Sequence, residues 1–439
     1  MSTAFDGPSP HFFHQDPGVI VITRDVTQPR RGQVTRPPEG GGFDVKVENE
    51  VVGTVPAQRT ELPCRGQFKS HHVSASLGRT RDGVLYASFE GDSGACFTSA
   101  DQGRSWTSFL IRPPGSNWLF YILPDDTFMN VSGSGGPALV FWRSGDRGQH
   151  WEQVGQIRSG PFEVVHHDGN LVALRDGSVL LPVQFATPWN DLASTWSSMM
   201  WQQFAQYMMR SLDGGRTWRN APDPAFWRPL LENHLTTVTV SPRGRNPGPG
   251  GTYPGCWETG IVALADGQVL AALRYSGRQD PWHRSMAERW NALASEPDRS
   301  GRIYRHVMLA RSADGGDTWQ DFGPVVDAAG EPLLIFGECN GELVQLPDGR
   351  VVLVHQRRYP YGQGQLIARV SEDGGRTWLA DEYRLHLGFG YSSSIAMADG
   401  TIITATGSTR CDTSNGEPSE PPGAAVIRWK LLPPALAER

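Results

Sequence analysis

The stretch ETGIVALADGQVLAALR (258–274) opens with a glutamate and closes with an arginine, and a turn around Asp266 and Gly267 lies between them. A hairpin returns its two ends to one place, so Glu258 and Arg274 stand side by side. Glu258 precedes Gly267 by nine residues, and the same offset recurs for Asn340 before Gly349, Tyr391 before Gly400 and Asp168 before Gly177. A longer turn near residue 80 moves the matching position to His71 or His72. The hairpin at 344–355 runs on into HQRR, which brings Arg357 and Arg358 to the same end. Carboxylates, a phenol, an amide, imidazoles and guanidinium groups on one rim exceed what a core can satisfy. Groups of these types move protons, and the planar forks of arginine hold an anion by paired, charge-assisted hydrogen bonds.

The rim exists only if the hairpins stand in a ring, and two interleaved repeats say that they do. Apolar runs flank a turn in VALRDGSVLLPV (172–183), VALADGQVLAAL (262–273), VQLPDGRVVLVH (344–355) and AMADGTIITAT (396–406), with shorter versions near 80 and 122. Asp-Gly between β-rich runs is a strong hairpin signal. Between hairpins comes an octet: SADQGRSW (99–106), SGDRGQHW (144–151), SLDGGRTW (211–218), SADGGDTW (312–319) and SEDGGRTW (371–378). Its aspartate can accept amide hydrogen bonds in a tight turn, its glycine takes positive φ, and its tryptophan packs into the next strand. The octets are read as structural and are assigned no catalysis.

Six hairpins and five octets predict an all-β, six-bladed β-propeller of four-stranded blades. The last blade, which lacks an octet, would be closed by strands from both chain ends: AAVIRWKL (424–431) and a segment before residue 60 such as GVIVITRD (18–25). A seven-bladed form that uses residues 43–55 as a partial blade is the fold alternative. The domain reading is an N-terminal segment, 1–60, and one catalytic propeller, 61–439. Both kinds of turn lie on one face of the disc. The long insertions 186–206, 221–255 and 276–303 project from the other face, where functional loops accept extra length. The first carries Trp189, Trp196, Trp201, Met199 and Met200, either a small packed helix or an aromatic wall for a sugar ring.

A net charge of −6 gives no electrostatic pull toward nucleic acid or anionic membrane. No apolar run approaches the roughly 20 residues that span a bilayer. The N-terminus lacks a basic start followed by an apolar core, so a cytoplasmic location is expected. Cys64, Cys96, Cys256, Cys339 and Cys411 are odd in number, widely spread and without a CxxC pair, and are expected to be free thiols. The pairs His71-His72 and His166-His167 invite a metal reading. Adjacent strand residues face opposite ways, so at most one per pair enters the channel, and neither metal nor cofactor is expected.

The octet resembles the Asp box, S-x-D-x-G-x-[ST]-W, of the sialidase (neuraminidase) superfamily, and the likeness extends over the chain from about residue 70. What it implies is a hydrolase whose glutamate and tyrosine form a nucleophile pair, here Glu258 and Tyr391, with arginines, here Arg274, Arg357 and Arg358, clamping the substrate carboxylate. The family's general acid is an aspartate of blade one; FEGDSG offers Asp92, with Glu90 as competitor. His71, His72, Asp168 and Asn340 are taken as substrate-binding. Sialic acid carries a carboxylate on its anomeric carbon and would repel a carboxylate nucleophile, whereas a neutral phenol deprotonated by a neighbour avoids that repulsion. One position departs from the family: where it has an arginine in a Phe-Arg-Ile-Pro segment, this chain reads FKSHHVSASL.

The resulting expectation is an exo-glycosidase for sialic acid or a related acidic sugar, with an acidic glycan as substrate. A polysaccharide lyase on uronic-acid glycans is the alternative, with His71 or His72, Tyr391 and Arg274 as its base, proton donor and charge neutraliser. A non-catalytic glycan-binding propeller is the third.

Overall fold

The computed structural model describes residues 42–47, 50–64, 73–90, 95–111, 113–114, 119–160, 164–167, 169–188, 201–219, 256–276, 305–334, 338–357, 365–388, 390–408 and 421–433. Continuous apolar runs become the second strands of blades. Val351–Arg357 and Ile402–Gly407 are buried at every position, because a neighbouring blade covers each face of the strand.

The strands form a six-bladed propeller. Blade one is Ser74–Arg79, Leu85–Glu90, Ala95–Ser99 and Thr107–Ser108, and blade two is Phe120–Ile122, Phe128–Ser132, Ala138–Ser144 and Glu152–Arg158. Blade three has a first strand in two pieces, Val164–His166 and Val172–Ala173, followed by Val179–Pro188 and Trp201–Ser211. Blade four is Cys256–Ala263, Val269–Ser276, Arg305–Ser312 and Gln320–Pro324, and blade five is Glu338–Gln345, Val351–Arg357, Gln365–Ser371 and Glu382–Leu387. Blade six takes Ser392–Ala396, Ile402–Gly407 and Ala424–Trp429 from the C-terminal part, and its fourth strand, Glu50–Glu61, from the N-terminal part.

Both chain ends therefore close the ring. Gly42–Val47 pairs with Glu50–Glu61 and also with the outer strand of blade five, Val45 opposite Tyr383, so blades five and six form one nine-stranded sheet. Residues 43–55 are this clasp and not a seventh blade. GVIVITRD lies outside the described residues. The insertion at 186–206 is strand at its two ends, since Val179–Pro188 and Trp201–Ser211 pair as far as Pro188 opposite Trp201. Its other aromatic and methionine positions lie outside the described residues.

Six equivalent turns join first and second strands. In blade four Gly267 N–H donates to Leu264 O at 3.0 Å, and Leu264 N–H donates to Gln268 O at 2.8 Å. This is a four-residue turn closed by a left-handed residue, the three-residue hairpin geometry. Gly267 has φ +92°, and the matching residue in blade two, Asp126, takes φ +67°, a conformation open to aspartate at modest cost.

In the octet at 312–319, Ser312 Oγ donates to Asp314 Oδ1 at 2.7 Å, and Gly316 N–H donates back to Ser312 Oγ at 2.7 Å. Asp314 Oδ1 also accepts Thr318 N–H at 2.8 Å, and Trp319 Nε1–H donates to Gly316 O at 3.1 Å. All four bonds recur in the box headed by Asp213, and the three made by serine and aspartate recur in the box headed by Asp373. Burial would raise the Asp314 pKa, but hydrogen bonds from Thr318 and Ser312 outweigh it and hold the carboxyl below its usual range. The hydrophobic core is divided into seams between blades. One cluster spans blades two to four around Phe141, Phe185 and Leu273, and another joins blades five and six with the clasp around Trp429 and Val55.

Asp314→Ala removes the hydrogen bonds that Ser312 Oγ, Thr318 N–H and Thr318 Oγ1 donate to its carboxylate, in a turn remote from the insertion face. It should cost about 1–3 kcal/mol in chemical denaturation while leaving turnover per folded molecule unchanged. Unchanged stability with lost turnover would contradict the structural role.

Candidate active site

The first strands of blades four and five carry the same defect at the same height. In blade four Trp257 faces Arg274 but Gly260 faces Ala272, and in blade five Cys339 faces Gln356 but Glu342 faces Val354. Each first strand thus holds one extra residue, a β-bulge, which re-aims side chains. At the bulges Glu258 has φ +36° and Asn340 φ +61°. A non-glycine residue there costs on the order of 1 kcal/mol, so the surroundings must impose it. Part of that surrounding is close backbone contact. A Cβ at Gly260 would lie 2.2 Å from Gly341 O, so blades four and five meet here more tightly than a side chain permits.

The bulges turn Glu258 and Asn340 toward each other, and Asn340 Nδ2–H donates to Glu258 Oε2. Arg274 Nη1–H donates to the same oxygen and forms an ion pair with it. Tyr391 Oη–H donates to the other oxygen, Oε1, at 2.8 Å. The backbone N–H of Tyr391 is tied in turn to Val73 O of blade one at 2.9 Å. Glu258 keeps 12% of its side chain exposed, whereas Arg274 keeps 3%. Burial would weaken the Arg274 charge, and the Glu258 carboxylate overrides this, leaving the guanidinium more firmly protonated than usual. A phenol held on a fixed carboxylate can pass its proton to that carboxylate and act as an oxygen nucleophile.

Glu90 ends the second strand of blade one opposite Ser74, the residue after Val73, and so lies one register step from the backbone anchor of Tyr391. Burial pushes its carboxyl up to about 7. Asp92, His71, His72, Asp168 and Arg358 lie outside the described residues.

Arg357 is directed elsewhere. Its Nε–H donates to Glu338 Oε1 at 2.5 Å, and its two terminal nitrogens donate to Glu382 at 2.9 and 2.6 Å. Arg384 and Arg369 also reach Glu382, at 2.5 and 3.2 Å, completing an ionic network inside blade five. The reason is a one-residue phase difference. Arg274 stands seven residues past its turn glycine, but Arg357 stands eight past Gly349, and one step along a strand reverses the facing side. The residue in phase with Arg274 is Gln356. That count was available in the sequence; Glu338 and Glu382, the missed partners of Arg357, gave no such signal.

His166 and His167 are both buried, and burial pushes each down to about 4. His167 lies 2.9 Å from Tyr121 Oη and 3.1 Å from Pro182 O, an interblade contact. Among the described residues no group of three or more His, Cys, Asp or Glu could hold a metal ion.

Comparison with known families matches residues 109–404 to the BNR repeat-like domain. The chain belongs to this family. Solved structures are similar in fold at low identity. A protein of unknown function from Dyadobacter fermentans superposes with a TM-score of 0.53 at 15% identity, covering 89% of this chain and all of that one. An α-L-arabinofuranosidase from Fusarium graminearum, solved with an iminosugar inhibitor, gives 0.54 at 14% identity, covering 84% and 97%. A Trypanosoma rangeli sialidase gives 0.45 at 12%, covering 85% and 58%. No curated protein sequence matches the chain.

Arg357→Met removes a buried guanidinium that Glu338 and Glu382 share and should destabilise this BNR propeller by roughly 3–5 kcal/mol in chemical denaturation. The wild-type network should weaken on acidification. Burial acts to raise the Glu382 carboxyl, but Arg357, Arg384 and Arg369 depress it further. Its stabilisation is therefore complete above the unfolded carboxylate range and is lost as pH falls through the depressed value. An Arg357→Met protein as stable as wild type would contradict the structural assignment.

Proposed function

We propose that the protein is a retaining exo-glycosidase for sialic acid or a related acidic ulosonic sugar, with Tyr391 as nucleophile. The observation that carries this reading is the 2.8 Å hydrogen bond from Tyr391 Oη to Glu258 Oε1, made while Arg274 and Asn340 occupy the other oxygen. Tyr391 Oη attacks the anomeric carbon, Glu258 takes the phenolic proton, and the glycosidic C–O bond breaks. The leaving oxygen takes a proton from a general acid. Glu90 is assigned that role, because a carboxyl raised to about 7 keeps a protonated fraction near neutrality and its strand end lies one register step from the anchor of Tyr391. Water then attacks the tyrosyl-linked sugar and gives its proton to Glu90, the Tyr391–sugar bond breaks, and the proton on Glu258 returns to the phenol.

The choice of an acidic sugar follows from the nucleophile. A carboxylate such as Glu258 would serve for a neutral sugar, and interposing a phenol is useful where the anomeric carbon bears its own negative charge. Arg274 is buried behind Glu258 in this arrangement and is assigned to fix that carboxylate. A lyase would have no use for a glutamate held on the tyrosine. The glycosidases among the propellers of similar fold support the general class.

With a fluorogenic α-sialoside, Tyr391→Phe and Glu258→Gln should each lower kcat by at least about a thousandfold, and the double variant should be little worse, because the two act as one unit. Cleavage of an α-L-arabinofuranoside in preference to the sialoside would overturn the acidic-sugar assignment. Wild-type kcat should fall as pH rises above about 7, where Glu90 loses its proton, and Glu90→Gln should abolish that limb. An unaltered alkaline limb in Glu90→Gln would remove Glu90 from the mechanism.

A further inference from the structure

We infer that Gln356 is a positioning residue for Tyr391, an assignment that rests on Tyr391 being the nucleophile. Gln356 occupies in blade five the place that Arg274 occupies in blade four: each is seven residues past its turn glycine and faces the residue just before the bulge. Arg274 uses the place to brace Glu258. Gln356, 1% exposed, reaches out of blade five, and its Nε2–H donates to the carbonyl oxygen of Gly390.

That carbonyl belongs to the peptide linking Gly390 to Tyr391, and the other half of the same peptide, the Tyr391 N–H, donates to Val73 O at 2.9 Å. One rigid peptide plane is thus held by blade five on its oxygen and by blade one on its nitrogen. Its third restraint is steric. A Cβ at Gly390 would lie 2.4 Å from the backbone nitrogen and 2.5 Å from the Cα of Gly407, so the segment is pressed onto the end of the second strand of blade six. Fixing this plane fixes the origin and direction of the Tyr391 side chain, which must keep its phenol on Glu258 Oε1 while presenting the same oxygen to substrate. Loss of a few tenths of an ångström there costs rate without touching any substrate contact. Among the described restraints on this plane Gln356 is the side chain, and so the member that substitution can remove.

Gln356→Met keeps the volume and removes the donor. With the α-sialoside it should lower kcat at least tenfold with KM within twofold of wild type, and it should cause no further loss in a Tyr391→Phe background. A purely structural role would lower folded fraction equally in both backgrounds and leave kcat per folded molecule unchanged. Gln356→Glu provides a second reading that survives a folding defect in the methionine variant. A buried carboxyl beside a carbonyl donates only when protonated, so the glutamate variant should gain activity relative to wild type as pH is lowered, beyond the rise that the wild type itself shows as pH falls through about 7. Full kcat in Gln356→Met, or a Gln356→Glu profile parallel to wild type, overturns the assignment when Tyr391→Phe is inactive. Full activity in Tyr391→Phe would instead remove the nucleophile reading, and this inference with it.

Discussion

Glu258 offers its two oxygens to three donors among the described residues, and those donors come from blades four, five and six. Arg274 and Asn340 share one oxygen and Tyr391 has the other. Because Tyr391 is also anchored on Val73, blade one joins the set. No pair of adjacent blades could assemble this carboxylate environment alone. Its geometry depends on the circumference being correct all the way round. The clasp formed by Gly42–Val47 and Glu50–Glu61 is what sets that circumference, since it fills the fourth position of blade six and bonds to the outer strand of blade five.

The molecule separates its rigid face from its chemical face. On one side the serine, aspartate and glycine of the boxes are tied to one another by hydrogen bonds within each turn. On the other, residues depart from the local rules: Glu258 and Asn340 adopt left-handed backbone at bulges, Gly260 and Gly390 tolerate contacts no side chain could, and Glu90 keeps a carboxyl with its pKa raised to about 7. Departures of this kind need a surrounding structure that over-determines them, and they gather where a site is built. Blade five shows the contrast within a single strand. Arg357 faces inward to Glu338 and Glu382, and its neighbour Gln356 faces the other way to Gly390.

The fold was legible because its signals are local and repeated. A turn glycine at five of the six hairpins and a tryptophan at each octet mark the strand ends without any knowledge of long-range contacts. Counting from those glycines also brought Glu258, Asn340 and Tyr391 to one height, since strands of equal pitch keep their offsets. The count gave no information about contact across the channel, which depends on bulges that insert a residue without a distinct sequence mark. It failed at Arg357, where an error of one residue exchanged the two faces of a strand. The closing strand was expected from the missing sixth box, but its identity as Glu50–Glu61, with a second arm paired to blade five, was hidden because edge strands carry weak alternation.

We propose that the phenol of Tyr391, and not a carboxylate, forms the bond to the sugar. A fluorinated acidic glycosyl fluoride, which forms the enzyme-linked sugar faster than it releases it, allows that bond to be located by digestion and peptide mass spectrometry. The peptide containing Tyr391 should gain the mass of one fluorinated sugar, and the adduct should be absent in Tyr391→Phe. An adduct on the peptide containing Glu258, with Tyr391 unmodified, would contradict it.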